Sequence, residues 1–547
     1  MKKLLALILS AILIFSLAVP AFAQVEGKSQ YPVIKINGDG NDIFDENGKQ
    51  VYDFDYDTSN LASDIVEVCM PNLISGIVTG DYSAYYKALY NKLSDIYGDA
   101  KLDKNGNPTA GTDISKKDRD YMAQAKNNDA ASQKGYYDLG DYAFLYDWRL
   151  DPMTIADELN EYINAILATT GKTKVSICAR CLGGVPVMAY LQKYGSDKLD
   201  TVCLNSTVAN GCERIGDMFT GNLNLNSDAL RRFIGGSSGE VKEVTGDLLY
   251  EILVSTLRTL NSLGFSEKII ADFMDKVYGT LGEGVVASFV RAGYATWISY
   301  WSAVKTDEYD KAKSLVFGEE GSALREEYAG LIEKIDYYHY NVTAKIPEIL
   351  TNVKNNGTKV CIISKYGYQL MPYLNTYEKI SDRWVSVDNA SYGATTAKIG
   401  TLFSDEYIKE KEEAGLGKYI SVDREIDAST CILPDCTWFI KGIGHDNWAS
   451  CIEEFAYAAC SSNVPLTADS SEKYPRFLKF DEETSSLVPL TKENMNCEEY
   501  YGVDTGSTEN MTKFERLFKI IKELIKLLKS LLNVLFGSIG DKIPTAG

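Results

Sequence analysis

Short apolar runs, many of them β-branched, alternate along the chain with longer segments that place apolar residues at helical spacing. The runs that predict strands are residues 33–36, 143–146, 174–178, 200–204, 359–364 and 437–440. Residues 153–169 and 185–194 are the clearest helical segments. Since strands that alternate with helices form parallel sheets with helices on both faces, the pattern predicts an α/β fold with a mostly parallel sheet.

Residues 212–344 interrupt this alternation, because they have a helical pattern throughout and contain no clear strand. We expect a large helical lid inserted between the first part of the core, residues 24–211, and the second part, residues 345–465. Residues 466–510 then form a C-terminal extension. A stripe of apolar residues at helical spacing in the insert favours packing between helices over a wall for an apolar ligand. The stripe consists of Tyr294, Trp297, Ile298 and Trp301.

The first 23 residues have the pattern of a secretory signal peptide. Two lysines precede an apolar stretch over residues 4–19, and Ala21 and Ala23 are small residues before a cleavage site. About 16 apolar residues are fewer than the ~20 that a spanning helix needs. We therefore expect cleavage after Ala23 and a secreted, extracellular protein, either free or associated with the cell surface.

Charge is distributed unevenly along the 547 residues. The chain as a whole has a net charge of −20, which argues against binding to nucleic acid. Residues 511–547, by contrast, contain seven basic and three acidic residues. Apolar residues recur there at helical spacing, with Lys519, Lys522, Lys526 and Lys529 on the other side. This basic amphipathic pattern predicts a tail helix that contacts an anionic membrane surface or a partner's groove, or else docks on the chain's own acidic body.

The cysteines and histidines give no metal-binding pattern. Eleven cysteines are an odd number, so at least one is outside any intramolecular disulfide. The chain has only two histidines, His339 and His445, and the cysteines have no histidine at metal-ligand spacing. We expect neither a metal nor a cofactor.

The strongest chemical pattern lies in residues 174–190, where an apolar strand meets a tight turn that opens a helix. The turn reads Ala179-Arg180-Cys181-Leu182-Gly183, with a nucleophile between small residues two positions away on each side. Such an elbow holds the nucleophile above the sheet, and small neighbours allow the strand and helix to approach closely. The helix N-terminus favours the thiolate form of Cys181.

Two other interpretations compete with this elbow. Cys178 and Cys181 form a Cys-x-x-Cys sequence, which is typical of redox pairs, although Cys178 is predicted to lie inside the strand. Residues 235–239 match Gly-x-Ser-x-Gly literally, but they follow a helical pattern and not a strand.

The segment Asp147-Trp148-Arg149 and residues 175–191, with residues 31–40 as a first strand and loop, resemble the lecithin–cholesterol acyltransferase and lipase branch of the α/β hydrolases. The resemblance continues in patches to about residue 448 and implies an α/β-hydrolase fold. That branch has Gly-His-Ser-x-Gly at its elbow, whereas this chain has Cys181 in place of the serine, which resembles the dienelactone hydrolases.

A nucleophile of this kind needs a base and an acid that orients the base. His445 follows the last predicted strand in a glycine-containing loop, while His339 lies among tyrosines and favours a structural role. Residues 381–385 resemble the family's Asp-Gly-x-Val turn with Asp382 as the acid, and Asp388 is the alternative. The order Cys181, Asp382, His445 is the order of the α/β hydrolases.

The oxyanion of an acyl-transfer intermediate needs two backbone N–H donors. Leu182, which follows the nucleophile, supplies one. Asp39 or Gly40 is the expected second donor, and an ordinary glycine turn is the alternative interpretation of that loop.

These residues predict a secreted acyl hydrolase or acyltransferase for a small-molecule ester, a lipid, a lactone or a thioester. Catalysis would use a Cys181–His445–Asp382 triad and a covalent acyl-enzyme. The alternative is a non-catalytic surface or binding protein on the same scaffold, because a fold does not determine a function.

Overall fold

The computed structural model describes residues 27–38, 43–45, 47–52, 58–109, 135–223, 279–371, 373–447 and 449–495. The predicted signal peptide, the Gly-x-Ser-x-Gly match at 235–239 and the basic tail at 511–547 lie outside the described residues.

An eight-stranded sheet forms the centre of the described chain. Its strands are β1 (Val33–Ile36), β2 (Tyr142–Phe144), β3 (Val175–Arg180), β4 (Leu199–Asn205), β5 (Lys359–Tyr366), β6 (Thr437–Lys441), β7 (Phe477–Asp481) and β8 (Ser486–Pro489). Their order across the sheet is β8-β7-β6-β5-β4-β3-β1-β2. All neighbours are parallel except β7 and β8, which pair antiparallel. The mostly parallel sheet predicted from the alternating pattern is confirmed.

The helices of the described chain connect these strands and cover the sheet. They are α1 (Thr58–Thr79), α2 (Ser83–Tyr97), α3 (Pro152–Thr170), α4 (Gly184–Tyr194), α5 (Glu213–Thr220), α6 (Gly279–Ala292), α7 (Tyr309–Phe317), α8 (Ala323–Glu327), α9 (Ala329–Asn341), α10 (Ile346–Asn355), α11 (Val387–Ala390), α12 (Asp405–Glu413) and α13 (Ser450–Ser461).

Local sequence accounts for the ends of α3. The Asp151 carboxylate caps the helix by accepting from the Met153 N–H at 3.0 Å, and Pro152 occupies the first turn, where no N–H donor is needed. The helix ends at Gly171, whose φ of 66° lies in the left-handed region that glycine adopts at little cost. These end signals explain why the predicted helix forms at this place.

Alternate residues of the strands face two different apolar clusters. In β3, Ile177 belongs to a large cluster that also contains Leu159 of α3 and Val185 of α4. Its neighbour Cys178 belongs to a second cluster, together with Phe455 of α13. Because side chains alternate across a strand, the sheet is covered on both faces, as in other α/β proteins.

The described parts of the predicted insert, residues 212–223 and 279–344, contain helices and no strand apart from an isolated bridge between Leu223 and Leu374. Its aromatic stripe does not form one α-helix. The stripe instead spans two 3₁₀ segments, Tyr294–Thr296 and Ile298–Ala303. Trp297 between them is fully buried, with its ring 4.9 Å from that of Trp148. The stripe therefore belongs to the core.

Two strands of the eight-stranded sheet were not predicted from the sequence. β7 and β8 extend the same sheet beyond residue 465, so the segment described above as a C-terminal extension contributes strands to the core. Among the described residues, no helix has both the length and the apolar character that membrane crossing requires.

Candidate functional site

The sharp turn after β3 holds Cys181 in an unusual backbone conformation. The strand ends at Arg180, residues 181–183 form a 3₁₀ turn, and α4 begins at Gly184. The φ angle of Cys181 is 51°, in the left-handed region that non-glycine residues rarely adopt. Strain of this kind persists where the surrounding structure imposes it, and it is the geometry of a nucleophile elbow.

Two glycines allow the end of β1 to lie directly against this turn. A Cβ atom on Gly183 would come within 2.5 Å of the Ile36 carbonyl oxygen and 2.7 Å of the Asn37 carbonyl oxygen. A Cβ atom on Gly38 would lie 3.1 Å from Cys181 Sγ and 3.4 Å from the backbone nitrogen of Leu182. Only glycine fits at these positions without a shift of the backbone or of the thiol.

The structure brings two of the predicted site residues, Asp382 and His445, into direct contact. Asp382 Oδ2 accepts a hydrogen bond from His445 Nδ1 at 2.8 Å, and the Asp382 carbonyl accepts from the His445 backbone N–H at 2.8 Å. Asp382 is 0% and His445 2% exposed. The pair is therefore fixed both by its side chains and by its backbones.

The carboxylate of Asp382 is held ionised by its surroundings. Burial raises its pKa, but the attraction and hydrogen bond of His445 and the N–H of Val385 outweigh burial, so the pKa is lowered from its ordinary value. Oδ1 accepts from the N–H groups of Trp384 and Val385 at 3.1 and 2.9 Å, which leaves Oδ2 directed at the imidazole. The turn also places Arg383 at a φ of 84°, where a glycine would be unstrained.

Lys365, at the end of β5, is a residue of this site that the sequence did not reveal. Its ammonium is buried and donates to the carbonyl oxygens of His445 at 3.0 Å and Asn447 at 3.1 Å, with Gly444 at 3.4 Å. Burial lowers its pKa to about 8, although attraction to Asp382, Asp446 and Cys181 opposes that shift. In the sequence, Lys365 is notable only as a charged residue near the end of an apolar strand.

The Lys365 ammonium lies near the acid, the thiol and the loop that carries the histidine. It is attracted by both Asp382 and Cys181 while it binds the loop that carries His445. Cys181 follows β3, Asp382 follows β5, and His445 follows β6, so all three lie beyond the carboxyl ends of parallel strands. Ligands of open α/β sheets bind at that edge.

Trp384 covers the histidine side of the site. Its indole N–H donates to Asp446 Oδ2 at 3.0 Å, and its ring centroid lies 5.7 Å from that of His445. The guanidinium of Arg214, at the start of α5, stacks 3.7 Å above the Trp384 ring. Neither Trp384 nor Arg214 was predicted as part of the site, because the contact joins residues 170 positions apart in the chain.

The alternatives for the acid and the base lie elsewhere. Asp388 forms ion pairs with Lys379 at 2.7 Å and Lys305 at 3.3 Å. Burial raises its pKa, but these lysines lower it to about 2. His339 stacks on Tyr309 with a ring separation of 3.6 Å, and burial lowers its pKa to about 4. Its stacking on Tyr309 fits the structural role expected for it.

Cys178 lies in the interior of β3, beside Cys203 on β4, and Cys203 lies beside Cys361 on β5. The hydrogen bond with Cys203, together with burial, raises the pKa of the Cys178 thiol well above its ordinary value. None of the ten described cysteines forms a disulfide. The structure thus contains no disulfide between Cys178 and Cys181.

Of the residues expected to donate to an oxyanion, Leu182 lies within the described part of the chain. Leu182 is buried in the turn directly after Cys181, and its backbone nitrogen faces the Gly38 position. Asp39 and Gly40 lie outside the described residues. Gly38, which precedes them in the chain, lies against Cys181 and Leu182.

Features elsewhere in the described chain do not add to this site. A surface hollow of about 450 Å³ is lined by residues of α13 and the segment after it, among them Ser461, Asn463 and Tyr474, and by none of the site residues named above. Among the described residues, no group of three or more His, Cys, Asp or Glu side chains is placed to hold a metal ion.

The class defined by these features is an α/β protein with a strained cysteine turn and an Asp–His pair at one edge of its sheet. Comparison with protein families gives no match, and comparison with curated proteins gives no significant match. Among solved structures, a chain of the crystal structure of the Tle4–Tli4 complex is similar at 12% sequence identity, with a TM-score of 0.23. The similarity covers 61% of this chain and 75% of that chain. A likeness at this level carries no argument about function.

Proposed function

We propose that the chain is an acyl hydrolase or acyltransferase of the α/β-hydrolase type, with Cys181 as nucleophile, His445 as general base and Asp382 as the acid that orients the histidine. The observation that carries the proposal is the buried Asp382–His445 hydrogen bond of 2.8 Å, because it fixes the imidazole at the sheet edge where the strained cysteine turn lies. A carboxylate on Nδ1 leaves Nε2 as the nitrogen that accepts a proton.

The reaction begins when His445 Nε2 takes the proton of the Cys181 thiol. The thiolate attacks the carbonyl carbon of an ester, lactone or thioester, and the carbonyl electron pair moves to the oxygen. As the tetrahedral intermediate collapses, the bond to the leaving group breaks and the imidazolium returns its proton to that group. The acyl chain remains on sulfur as a thioester. Water, or another acceptor, then attacks that thioester while His445 takes its proton. The carbon–sulfur bond breaks, the acyl product leaves, and His445 returns the proton to the Cys181 thiolate.

The protein stabilises the charges that develop in this sequence. Asp382 stays ionised and stabilises the imidazolium, and the backbone N–H of Leu182, with that of Asp39 or Gly40, donates to the developing oxyanion. Lys365 binds three carbonyl groups of the loop that carries His445. The histidine is thereby held from both sides, by Asp382 and by its own loop.

The proposal extends to location, because residues 1–23 have the sequence of a signal peptide. We place the mature protein outside the cytoplasm, where its substrate is a small ester or a lipid. Detection of a mature N-terminus at Gln24 in the culture medium or at the cell surface tests this part separately.

An activated ester tests the chemistry without knowledge of the natural substrate. The full chain is mixed with p-nitrophenyl acetate, and the acetyl adduct is located by peptide mass spectrometry while p-nitrophenolate release is followed. We expect an adduct on Cys181 that neutral hydroxylamine removes, and no such adduct in Cys181→Ala. His445→Gln slows acylation by at least about 10²-fold, the contribution of a general base.

His339→Gln is the matched control, because it changes the other histidine of the chain and leaves the proposed triad intact. It is expected to acylate at the wild-type rate. Acylation of other cysteines in preference to Cys181, or an unchanged rate in His445→Gln, contradicts the proposal. Those results favour a non-catalytic protein on this scaffold.

A further inference from the structure

We infer that the site prefers leaving groups that carry a planar aromatic ring, and that Trp384 is the specificity-determining residue that such a ring contacts. The inference rests on the proposed function, because it names the alcohol or thiol side of the ester or thioester. It is carried by the position of the Trp384 indole. The centroid of that ring lies 5.7 Å from the centroid of the His445 ring, with an angle of 31° between the two planes.

Three contacts hold Trp384 beside the loop that carries the histidine. The indole N–H donates to Asp446 Oδ2 at 3.0 Å, so the ring is tied to the residue next to His445. The guanidinium of Arg214 lies 3.7 Å from the centroid of the Trp384 ring, and the Cys212 thiol donates to the Trp384 carbonyl oxygen at 3.2 Å. A side chain that is fixed in advance loses little further freedom when a ligand packs against it.

Trp384 also retains contact with solvent, which the tryptophans of the core do not. It is half-buried, and its hydrogen-bond partner Asp446 is exposed. The other described tryptophans are buried, and they are Trp148, Trp297, Trp301 and Trp438. Trp384 is therefore the one of the described tryptophans that a substrate can contact without entering the core.

The leaving group must lie beside this ring, because His445 is the residue that protonates it. A general acid donates its proton across a hydrogen bond of about 3 Å, so the departing oxygen or sulfur lies at Nε2 of His445. A ring joined to that atom by a short chain is then within reach of the Trp384 indole. Aromatic rings pair favourably with their centroids about 4.5–7 Å apart, and the stacking of Arg214 shows that this indole accepts a planar partner.

Thioesters of acetic acid measure the preference at the nucleophile itself. The Cys181 thiolate attacks the thioester carbonyl, the bond from the carbonyl carbon to the leaving sulfur breaks, and the His445 imidazolium returns its proton to the departing thiolate. The S-phenethyl, S-cyclohexylethyl and S-ethyl thioesters all give the same acetyl-Cys181 and differ only in the leaving thiol. The phenethyl and cyclohexylethyl groups have nearly equal length, but only the phenethyl ring is planar and aromatic.

Formation of acetyl-Cys181 in the full chain is followed by peptide mass spectrometry for each thioester. Each rate is divided by the rate of the same thioester with glutathione, which removes differences in intrinsic reactivity. The ratio of the normalised phenethyl rate to the normalised cyclohexylethyl rate is the aromatic preference. We expect an aromatic preference of about fivefold or more, the scale of one aromatic pair, and an ethyl rate no higher than the cyclohexylethyl rate.

Variants assign the preference to the indole. Trp384→Leu is expected to reduce the aromatic preference to about onefold, whereas Trp384→Phe keeps a planar ring and retains most of it. Because the preference is a ratio, a general effect of either substitution on His445 cancels. Tyr337→Leu is the matched control, since it removes an aromatic side chain of α9 that is 53% exposed, and it leaves the preference unchanged.

The outcomes separate this inference from the proposed function. Acetylation of Cys181 with no aromatic preference overturns the substrate class and leaves the nucleophile assignment intact. If none of the thioesters acetylates Cys181, the proposed function is contradicted and the substrate class falls with it. A Trp384→Leu variant that keeps the preference, even with all three rates lowered, shows that the indole acts on the histidine and not on the leaving group, and it overturns the role assigned to Trp384.

Discussion

The two oxygens of Asp382 have separate tasks. Oδ1 accepts two backbone N–H groups of its own turn, and Oδ2 accepts from His445. An amide at this position keeps an oxygen for only one of these tasks, so either the turn or the imidazole loses its acceptor. Asp388, six residues further on, instead pairs with Lys305 and Lys379.

This division of tasks predicts different consequences for two similar substitutions. Asp382→Asn is expected to lower turnover of an activated ester by about 10⁴-fold, because the histidine loses the acceptor that sets its tautomer. Asp388→Asn leaves turnover near the wild-type value and lowers stability through its lysine contacts. Steady-state kinetics with thermal unfolding distinguish the two, and the reverse pattern would assign the acid to Asp388.

The lowered pKa of the buried Lys365 predicts that the stability of the folded chain depends on pH. Because its pKa in the folded chain is about 8, against an ordinary 10.5, the unfolded chain binds one more proton between these values. The free energy of unfolding therefore gains up to about 3 kcal/mol from this group as the pH rises from 8 to 10.5, and gains nothing below 8. Denaturant titrations of the wild type and of Lys365→Met are compared across this window.

The Met variant is expected to lose that rise, and Lys365→Arg, which stays charged throughout, is expected to lose it too. Other groups that titrate in this range contribute equally to all three proteins, so the difference between the curves isolates Lys365. Parallel curves for wild type and Lys365→Met would contradict the assigned environment.

The residues of this site differ in how readily they can be predicted from the sequence. Cys181 stands out because its signature is local, a strand, a turn and a helix within 17 residues. Asp382 and His445 were proposed from chain order and turn sequence, and the structure places them in contact. Lys365 and Arg214 act through carbonyl and ring contacts with residues about 80 and 170 positions away, which no local pattern encodes.

At the level of elements, the strand predictions for β1 to β6 succeeded because these strands are short, apolar and buried. β7 and β8 were missed, since both mix polar with apolar residues and β8, at the edge of the sheet, is only partly buried. The aromatic stripe of the insert was expected to be helical but folds as 3₁₀ segments around Trp297. The spacing of apolar residues alone does not distinguish an α-helix from 3₁₀ segments.

Because β1 packs directly against the turn, we expect one added methyl group at Gly183 to destabilise the folded chain. Gly183→Ala places a Cβ atom within 2.5 Å of a backbone carbonyl oxygen, so the strand or the turn must move. We expect a loss of about 3 kcal/mol in the free energy of unfolding, at the upper end for overpacking. At Gly444 the nearest atom to an added Cβ is 3.9 Å away. Gly444→Ala is therefore the control, and equal urea midpoints for the two variants would argue against this close approach.

At the scale of the whole molecule, charge separates the acidic body from the basic C-terminal sequence. Seven basic residues lie in the last 37 positions, in a chain that otherwise carries an excess of acids. The sequence predicts an amphipathic helix there, with an apolar side that runs from Phe514 to Leu535. Besides a groove on a partner, such a helix has two counterparts of opposite charge, an anionic lipid surface and the chain's own acidic body.

Vesicles that differ in lipid charge distinguish binding to a lipid surface from docking on the acidic body. Salt does not distinguish them, because the attraction of the lysines to lipid and their attraction to the acidic body both weaken as salt is added. Each lysine near an anionic membrane contributes about 1 kcal/mol, so the four lysines of the polar side favour anionic vesicles strongly. The full chain is expected to sediment with vesicles of anionic lipid, less with neutral lipid, and not after truncation at Thr512. Equal sedimentation of the truncated chain would show that the tail is not the anchor, and absence of binding by both forms would favour a helix docked on the acidic body.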